Sequence, residues 1–330
     1  MSKREGLSLV LPAALAATAA LAVGVRIWTR RIEARHPPQG RMIDVDGVPV
    51  HVTERGAGPA ILLLHGNGAT LEDMLLSGLT ARLGRNHRVI ALDRPGFGHS
   101  PRSGDRRLNA ETQAELFWAA LDSLGVDDAI IVGQSWGALA AVAMGLARPE
   151  RTAGLVLVSG YYYPRDRLRI GPCALFAMPI LGPLMRHTVA PVISAIFSPA
   201  VVRQIFAPAE VPEHFREFPL ELAFRPSQLR ASAEDCANMT KDARRMQRHY
   251  GQLRMPVAIL FDREDAIIDQ TRQSILLHED IPGSRLYEVQ RGGHMLHHIL
   301  PEQVVRAVAE IRAAAAPVAG AAKIAEIRPA

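Results

Sequence analysis

The chain has 330 residues, 48% apolar and 22% charged, with a formal net charge of +5. That balance suits one large globular domain carrying an insertion, or two small ones, and argues against disorder over most of the length. The arginines are scattered and only 5% of residues are aromatic, so no nucleic-acid surface is expected.

Cys173 and Cys236 are too few for a disulfide framework and lack zinc-site spacing, so both read as buried, unbridged thiols and no metal is expected. The first element in chain order is an uncharged run, GLSLVLPAALAATAALAVGV, between Glu5 and Arg26. As a helix it spans roughly 30 Å, the thickness of a bilayer's hydrocarbon. Lys3 and Arg4 ahead of it, with ATA or ALA inside it, also fit a signal peptide cleaved on export. Length and flanks favour a single-pass anchor. Arg26, Arg30, Arg31 and Arg35 follow the run, so the positive-inside rule puts the body of the chain in the cytoplasm. Residues 1–35 are thus read as a membrane anchor with a basic flank, and HPPQG at 36–40 as an extended linker.

MIDVDGVPVHVTER alternates apolar and polar residues about Asp46-Gly47, the dipeptide of a tight hairpin. AILLLHG is a continuous apolar run, as a strand covered on both faces requires. A helix over 71–83, the strand RVIALD, a helix over 109–124, the strand AIIVG, a helix over 136–148 and the strand GLVLVSG follow. This βα rhythm predicts a doubly wound, mostly parallel sheet with functional groups at the carboxyl ends of its strands. From Tyr161 to Arg254 the rhythm breaks into proline-rich and apolar stretches such as CALFAMPILGPLM, read as a helical insertion. It resumes with MPVAILFD, a helix over 270–278, SRLYEVQ and a helix over 302–314. The divisions expected are a first core part at 36–160, an insertion at 161–254, a second core part at 255–315 and a loose tail at 316–330.

Between AIIV and an alanine-rich helix stands Gly133-Gln134-Ser135-Trp136-Gly137. A serine with glycines two residues to either side fits a sharp strand-to-helix turn that holds its hydroxyl above the sheet. A hydroxyl becomes nucleophilic only when a base takes its proton, and the base needs an acid to orient it. FDREDAII offers Asp262, Glu264 and Asp265 at one later strand end; RGGHMLHH offers His294, His297 and His298 at another. His294, directly after two glycines, can reach the turn, whereas His297 and His298 open the last helix and read as capping or packing residues.

The order Ser, Asp, His is that of the α/β-hydrolase superfamily, which the chain resembles from residue 42 to about 314 in LLLHGNG, DRPGFGHS, GQSWG, PVAILFDREDAII and GGHMLHHILPEQV. The resemblance implies that fold, with a helical cap over 161–254. It puts Asp265 in the acid's position, with Asp262 standing where glycine is common and keeping a share in the role. It also makes the backbone amide of Asn67, after His65 and Gly66, an oxyanion donor beside that of Trp136. DRPGFGHS reads as architectural. Asn67 and Trp136 are also similar to haloalkane dehalogenases and epoxide hydrolases, but those place an aspartate where this chain has Ser135, which favours acyl transfer.

The implied function is hydrolysis of a small, apolar or lipid-like carboxylic ester through an acyl-enzyme, without a cofactor. Ser135 is the nucleophile, His294 the base and Asp265 the acid. The alternatives are carbon-carbon bond hydrolysis, cofactor-free haloperoxidase activity, and a membrane-tethered binding protein on a hydrolase scaffold. Leu175, Phe176, Met178, Ile180, Leu181, Leu184 and Met185 either line an acyl pocket or pack the cap.

Overall fold

A computed structural model describes residues 3–102, 108–164, 176 and 178–315; Cys173, Leu175 and the tail from 316 lie outside the described residues. The chain begins with helix α1 (Lys3–Arg35) and the hairpin β1 (Arg41–Val45) and β2 (Val48–Arg55). Then come β3 (Ala60–Leu64), α2 (Leu71–Leu76), α3 (Leu79–Leu83), β4 (Arg88–Leu92), α4 (Ala110–Ser123), β5 (Ala129–Gln134), α5 (Trp136–Ala147) and β6 (Thr152–Val158). Helices α6 (Leu181–Arg186), α7 (Ala190–Phe206) and α8 (Pro226–Met246) fill the insertion, with short 3-10 turns between them and no strand among the described residues. β7 (Val257–Asp262), α9 (Ser274–Asp280), β8 (Arg285–Val289), α10 (Leu296–Ile299) and α11 (Pro301–Ala315) complete the chain.

The eight strands form one sheet in the order β1-β2-β4-β3-β5-β6-β7-β8. β1-β2 and β2-β4 are antiparallel, and every pair from β4 to β8 is parallel. The unbroken apolar strands follow from this, because each face of the sheet carries its own core. Leu62, Leu64, Ile131, Leu155 and Ile259 pack with Phe117, Trp118 and Leu139 on one side. Ile61, Leu63, Ile130, Val156 and Leu260 pack with Val304, Val308 and Ile311 on the other. The carboxyl ends of β3, β5, β7 and β8 therefore open toward one edge, where the loops after them meet.

Three local expectations change. The helix expected over 71–83 breaks at Gly78, which adopts φ 75° and separates α2 from α3. Residues 36–40 are held rather than loosely extended: a Cβ on Gly40, at φ 100°, would stand 2.2 Å from Val52 O, and the Gln39 carbonyl lies 2.6 Å from His51 Nε2. The last turns of α1 pack on the insertion through Trp28 stacked on Phe224, Glu33 paired with Arg225 and Arg35 paired with Glu221. Phe176 and Met185 join Ala190, Leu229 and Ala233 in a small core of the insertion. Met178, Ile180, Leu181 and Leu184 are instead exposed, Ile180 by 88%, so they neither line an enclosed pocket nor pack it.

Candidate active site

The turn from β5 into α5 explains its own sequence. Ser135 adopts φ 54° and ψ −117°, outside the helical and extended regions, a conformation that costs on the order of 1–3 kcal/mol. Both glycines are sterically required: a Cβ on Gly133 would lie 2.3 Å from Gly137 O, and one on Gly137 would lie 2.3 Å from Leu64 O. The turn is held by Ser135 N donating to Val158 O at 2.9 Å and Ala138 N donating to Ser135 O at 3.0 Å.

The loop after β8 carries His294 to this turn. Its Nε2 is 2.9 Å from Ser135 Oγ and its Nδ1 2.8 Å from Asp265 Oδ2. A carboxylate only accepts, so Nδ1 carries the proton and Nε2 is left to accept the serine hydroxyl. Asp265 is fixed in turn by the Ile267 and Ile268 amides on Oδ1 and by Gln270 Nε2 on Oδ2. Burial raises the Asp265 pKa, but His294, Gln270 and the amides outweigh it and hold the carboxyl below its ordinary value.

Asp262 does not touch His294. Its Oδ2 accepts from the Gly292 and Gly293 amides at 2.6 and 2.8 Å, and its Oδ1 from Glu264 N at 2.9 Å. The residue that stands where glycine is common thus buttresses the histidine loop. Gln134, which the sequence reading passed over, does the same from the serine side, donating from Nε2 to His294 O at 3.2 Å. Gly293, at φ 59°, lies so close to the insertion that a Cβ there would be 2.6 Å from Phe206 O.

On the other side of Ser135 runs the loop after β3. A Cβ on Gly66 would be 3.2 Å from Ser135 Cβ, so this loop lies directly against the serine. Trp136 is the first residue of α5, where a backbone N–H has no acceptor within its own helix. Asn67 turns its side chain to α8, donating from Nδ2 to Cys236 Sγ at 3.0 Å and to Ser232 O at 3.4 Å. Cys236 is accordingly only partly buried, at the boundary between insertion and site rather than in the core.

His297 and His298 are buried as packing residues, their Nε2 atoms 3.0 and 2.8 Å from the two oxygens of Asp73, and they lie on α10, separate from the last helix. The ligand atoms of these three residues lie within 4.8 Å of one another, and both imidazoles are bonded to the carboxylate.

A model of the alpha/beta hydrolase fold matches residues 59–196, from β3 through the serine turn into α7. The chain has the α/β-hydrolase fold. Within it, haloalkane dehalogenase 2 of Mycobacterium bovis is 31% identical over 133 residues, 40% of this chain and 46% of that protein. A 2-hydroxymuconate semialdehyde hydrolase from a Pseudomonas species is 33% identical over 131 residues, 39% of this chain and 46% of that protein. The chain therefore matches a little under half the length of these curated relatives. Among solved structures, a membrane phospholipase A described as a bacterial virulence factor is similar with a TM-score of 0.64 at 22% identity, covering 94% of this chain and 99% of that one. This α/β-hydrolase-fold chain has a serine at its strand-to-helix turn and places a histidine and an aspartate in line behind it.

Proposed function

We propose that the chain is a serine hydrolase that cleaves carboxylic esters through an acyl-enzyme. The observation that carries the reading is the single hydrogen-bonded line from Ser135 Oγ through the His294 ring to Asp265. Ser135 Oγ attacks the ester carbonyl while its proton passes to His294 Nε2, and Asp265 stabilises the imidazolium. The amides of Asn67 and Trp136 hold the oxyanion. When the tetrahedral intermediate collapses, His294 returns the proton to the leaving alcohol, and water then repeats the cycle on the acyl-serine. A serine attacking an alkyl halide or epoxide would form an ether that water does not cleave, so dehalogenation and epoxide opening are not the chemistry proposed.

Membrane attachment and an apolar, lipid-like ester fit together. Residues Pro12–Arg35 form a helix long and apolar enough to cross a bilayer. Its last turns lie on the insertion, whose helix α7 exposes Val192, Ile193, Ile196, Phe197 and Val201. Arg26, Arg30, Arg31 and Arg35 after the apolar run, against Lys3 and Arg4 before it, support a cytoplasmic catalytic body. A second reading, carbon-carbon bond hydrolysis, is favoured by the similarity to the semialdehyde hydrolase and would draw on Ser135, His294 and Asp265 of this chain.

The test is hydrolysis of p-nitrophenyl esters of graded acyl length by the detergent-solubilised chain and its Ser135→Ala variant. Ester turnover that falls by roughly 10⁴-fold or more in the variant supports the reading. Absence of turnover in the folded wild type moves the assignment to carbon-carbon cleavage or to a binding protein.

A further inference from the structure

Arg94, the second residue beyond β4, belongs to the segment DRPGFGHS that reads as architectural, yet its guanidinium is fully buried against the candidate oxyanion site. Nη1 donates to Asp235 Oδ2 at 2.7 Å and to Gln113 Oε1 at 3.2 Å; Nε donates to His65 O at 3.1 Å and Nη2 to Gly66 O at 3.2 Å. The guanidinium carbon lies 4.1 Å from the centre of the Trp136 ring and 4.4 Å from that of Phe97. One planar cation therefore touches the loop packed against the serine, through the Gly66 carbonyl, and the residue that follows the serine, through the Trp136 ring.

In a trans peptide the C=O and the following N–H point in opposite directions. The Gly66 carbonyl is drawn to Arg94 Nη2 and to His65 Nδ1, which is 2.8 Å away. The Asn67 N–H is thereby turned to the opposite side of the loop, away from the guanidinium. The same loop is gripped from above by the insertion. Gln228 Nε2 lies 3.4 Å from both Gly68 O and Ala69 O, and Asn67 Nδ2 reaches Ser232 O and Cys236 Sγ, all from α8. Asp235 of α8 is the carboxylate that balances Arg94, and neither side chain is accessible to water. A buried ion pair of this kind is weak evidence for stability, and its geometric use is the more informative property.

We infer that Arg94 is a positioning residue that aims the Asn67 amide, and that its pairing with Asp235 ties the oxyanion loop to helix α8 of the cap. This rests on the serine-hydrolase reading. The cap is then more than a cover, since displacement of α8 releases the cation that orients the loop. Lysine is a poor substitute, because a point charge cannot reach two carbonyls and a carboxylate while stacking on two rings.

The experiment compares wild type, Arg94→Lys, Arg94→Gln, Asp235→Asn and the Arg94→Gln/Asp235→Asn double variant in detergent. The probe is an alkyl phosphonofluoridate: Ser135 Oγ bonds to phosphorus, the P–F bond breaks, fluoride leaves and the serine proton passes to His294. The phosphoryl oxygen needs the same donors as an ester oxyanion, so the labelling rate reads the site without knowledge of the substrate.

Removing a direct oxyanion donor costs about 10²–10³-fold, so a positioning residue should cost less, on the order of 10- to 100-fold. The labelling rate and the kcat for a p-nitrophenyl ester are expected to fall by that factor in Arg94→Lys while KM stays within about 2-fold, a split that general loosening would not give. The double variant should label no more slowly than Arg94→Gln, because the two residues act as one unit. Arg94→Lys still neutralises Asp235, so it decides the matter if Arg94→Gln does not fold. A folded Arg94→Lys that labels at the wild-type rate overturns the proposal alone. A wild type whose Ser135 is not labelled overturns the serine-hydrolase reading and the proposal with it.

Discussion

Acidification from about pH 7 to about pH 4.5 should remove roughly 2 kcal/mol of stability through His65 alone. The ring is inaccessible to water, with Nδ1 2.8 Å from Gly66 O and Nε2 accepting the Arg94 backbone N–H at 3.0 Å. A carbonyl can only accept and an amide N–H can only donate, so this geometry admits the neutral ring with its proton on Nδ1 and leaves no place for a second proton. Burial, reinforced by the Arg94 charge, lowers the His65 pKa from 6.5 to about 4.

In the unfolded chain His65 takes up its proton below about pH 6.5, whereas in the folded protein it does so only near pH 4. Between these values the unfolded state binds more protons, so stability falls as the pH falls. The full effect is roughly 3 kcal/mol, most of it reached by about pH 4.5. The assay is urea unfolding of the detergent-solubilised wild type and a His65→Gln variant at both pH values; the other histidines cancel in the difference. The stability gap between the two proteins should narrow by about 2 kcal/mol at the acid pH. A gap constant to within about 0.5 kcal/mol would mean that His65 titrates alike in the folded and unfolded protein.

The remaining expectations concern single side chains. Gly137→Ala places a Cβ 2.3 Å from Leu64 O and 2.7 Å from His65 O, both backbone atoms, so thermal unfolding should show a loss of about 1–3 kcal/mol or more. Asp265→Asn should lower ester turnover by about 10⁴-fold, because the His294 ring loses the carboxylate that fixes its tautomer. Asp262→Asn should lower it by only about 10-fold, since that carboxylate holds the Gly292 and Gly293 amides and not the ring; equal losses in steady-state assays would contradict this division of labour. Asp73→Ala leaves His297 and His298 without their shared acceptor and should destabilise the fold by roughly 2–4 kcal/mol, read by chemical denaturation.

The parts of the site legible in the sequence are those whose cause is local. Gly133 and Gly137 are needed because strand and helix touch within five residues, so the spacing itself reports the turn. His294 follows two glycines and a strand, and the structure carries it to Ser135. The resemblance put the acid at Asp265, but the residues alone did not separate it from Asp262, because both lie at or just beyond the end of β7 and only the direction of each side chain distinguishes them. Gly78, which divides α2 from α3, lay within a run whose apolar spacing reads as one helix. The surroundings of Arg94 were hidden for a different reason: Gly66, Gln113, Trp136 and Asp235 come together only when three layers of the fold meet. Exposure of Met178, Ile180, Leu181 and Leu184 was also hidden, since an apolar run reads the same whether it is buried in a core or exposed at a surface.

If Ser135 is the nucleophile, it becomes acylated during turnover. The direct measurement is acid quenching of the chain during hydrolysis of a p-nitrophenyl ester, followed by mass spectrometry of the peptide that contains Ser135. This peptide should gain the mass of the acyl group, the adduct should disappear once the ester is consumed, and Ser135→Ala should show neither adduct nor turnover. Ester turnover that persists in Ser135→Ala, or an acyl group found on another residue, would contradict the assignment of Ser135 as nucleophile.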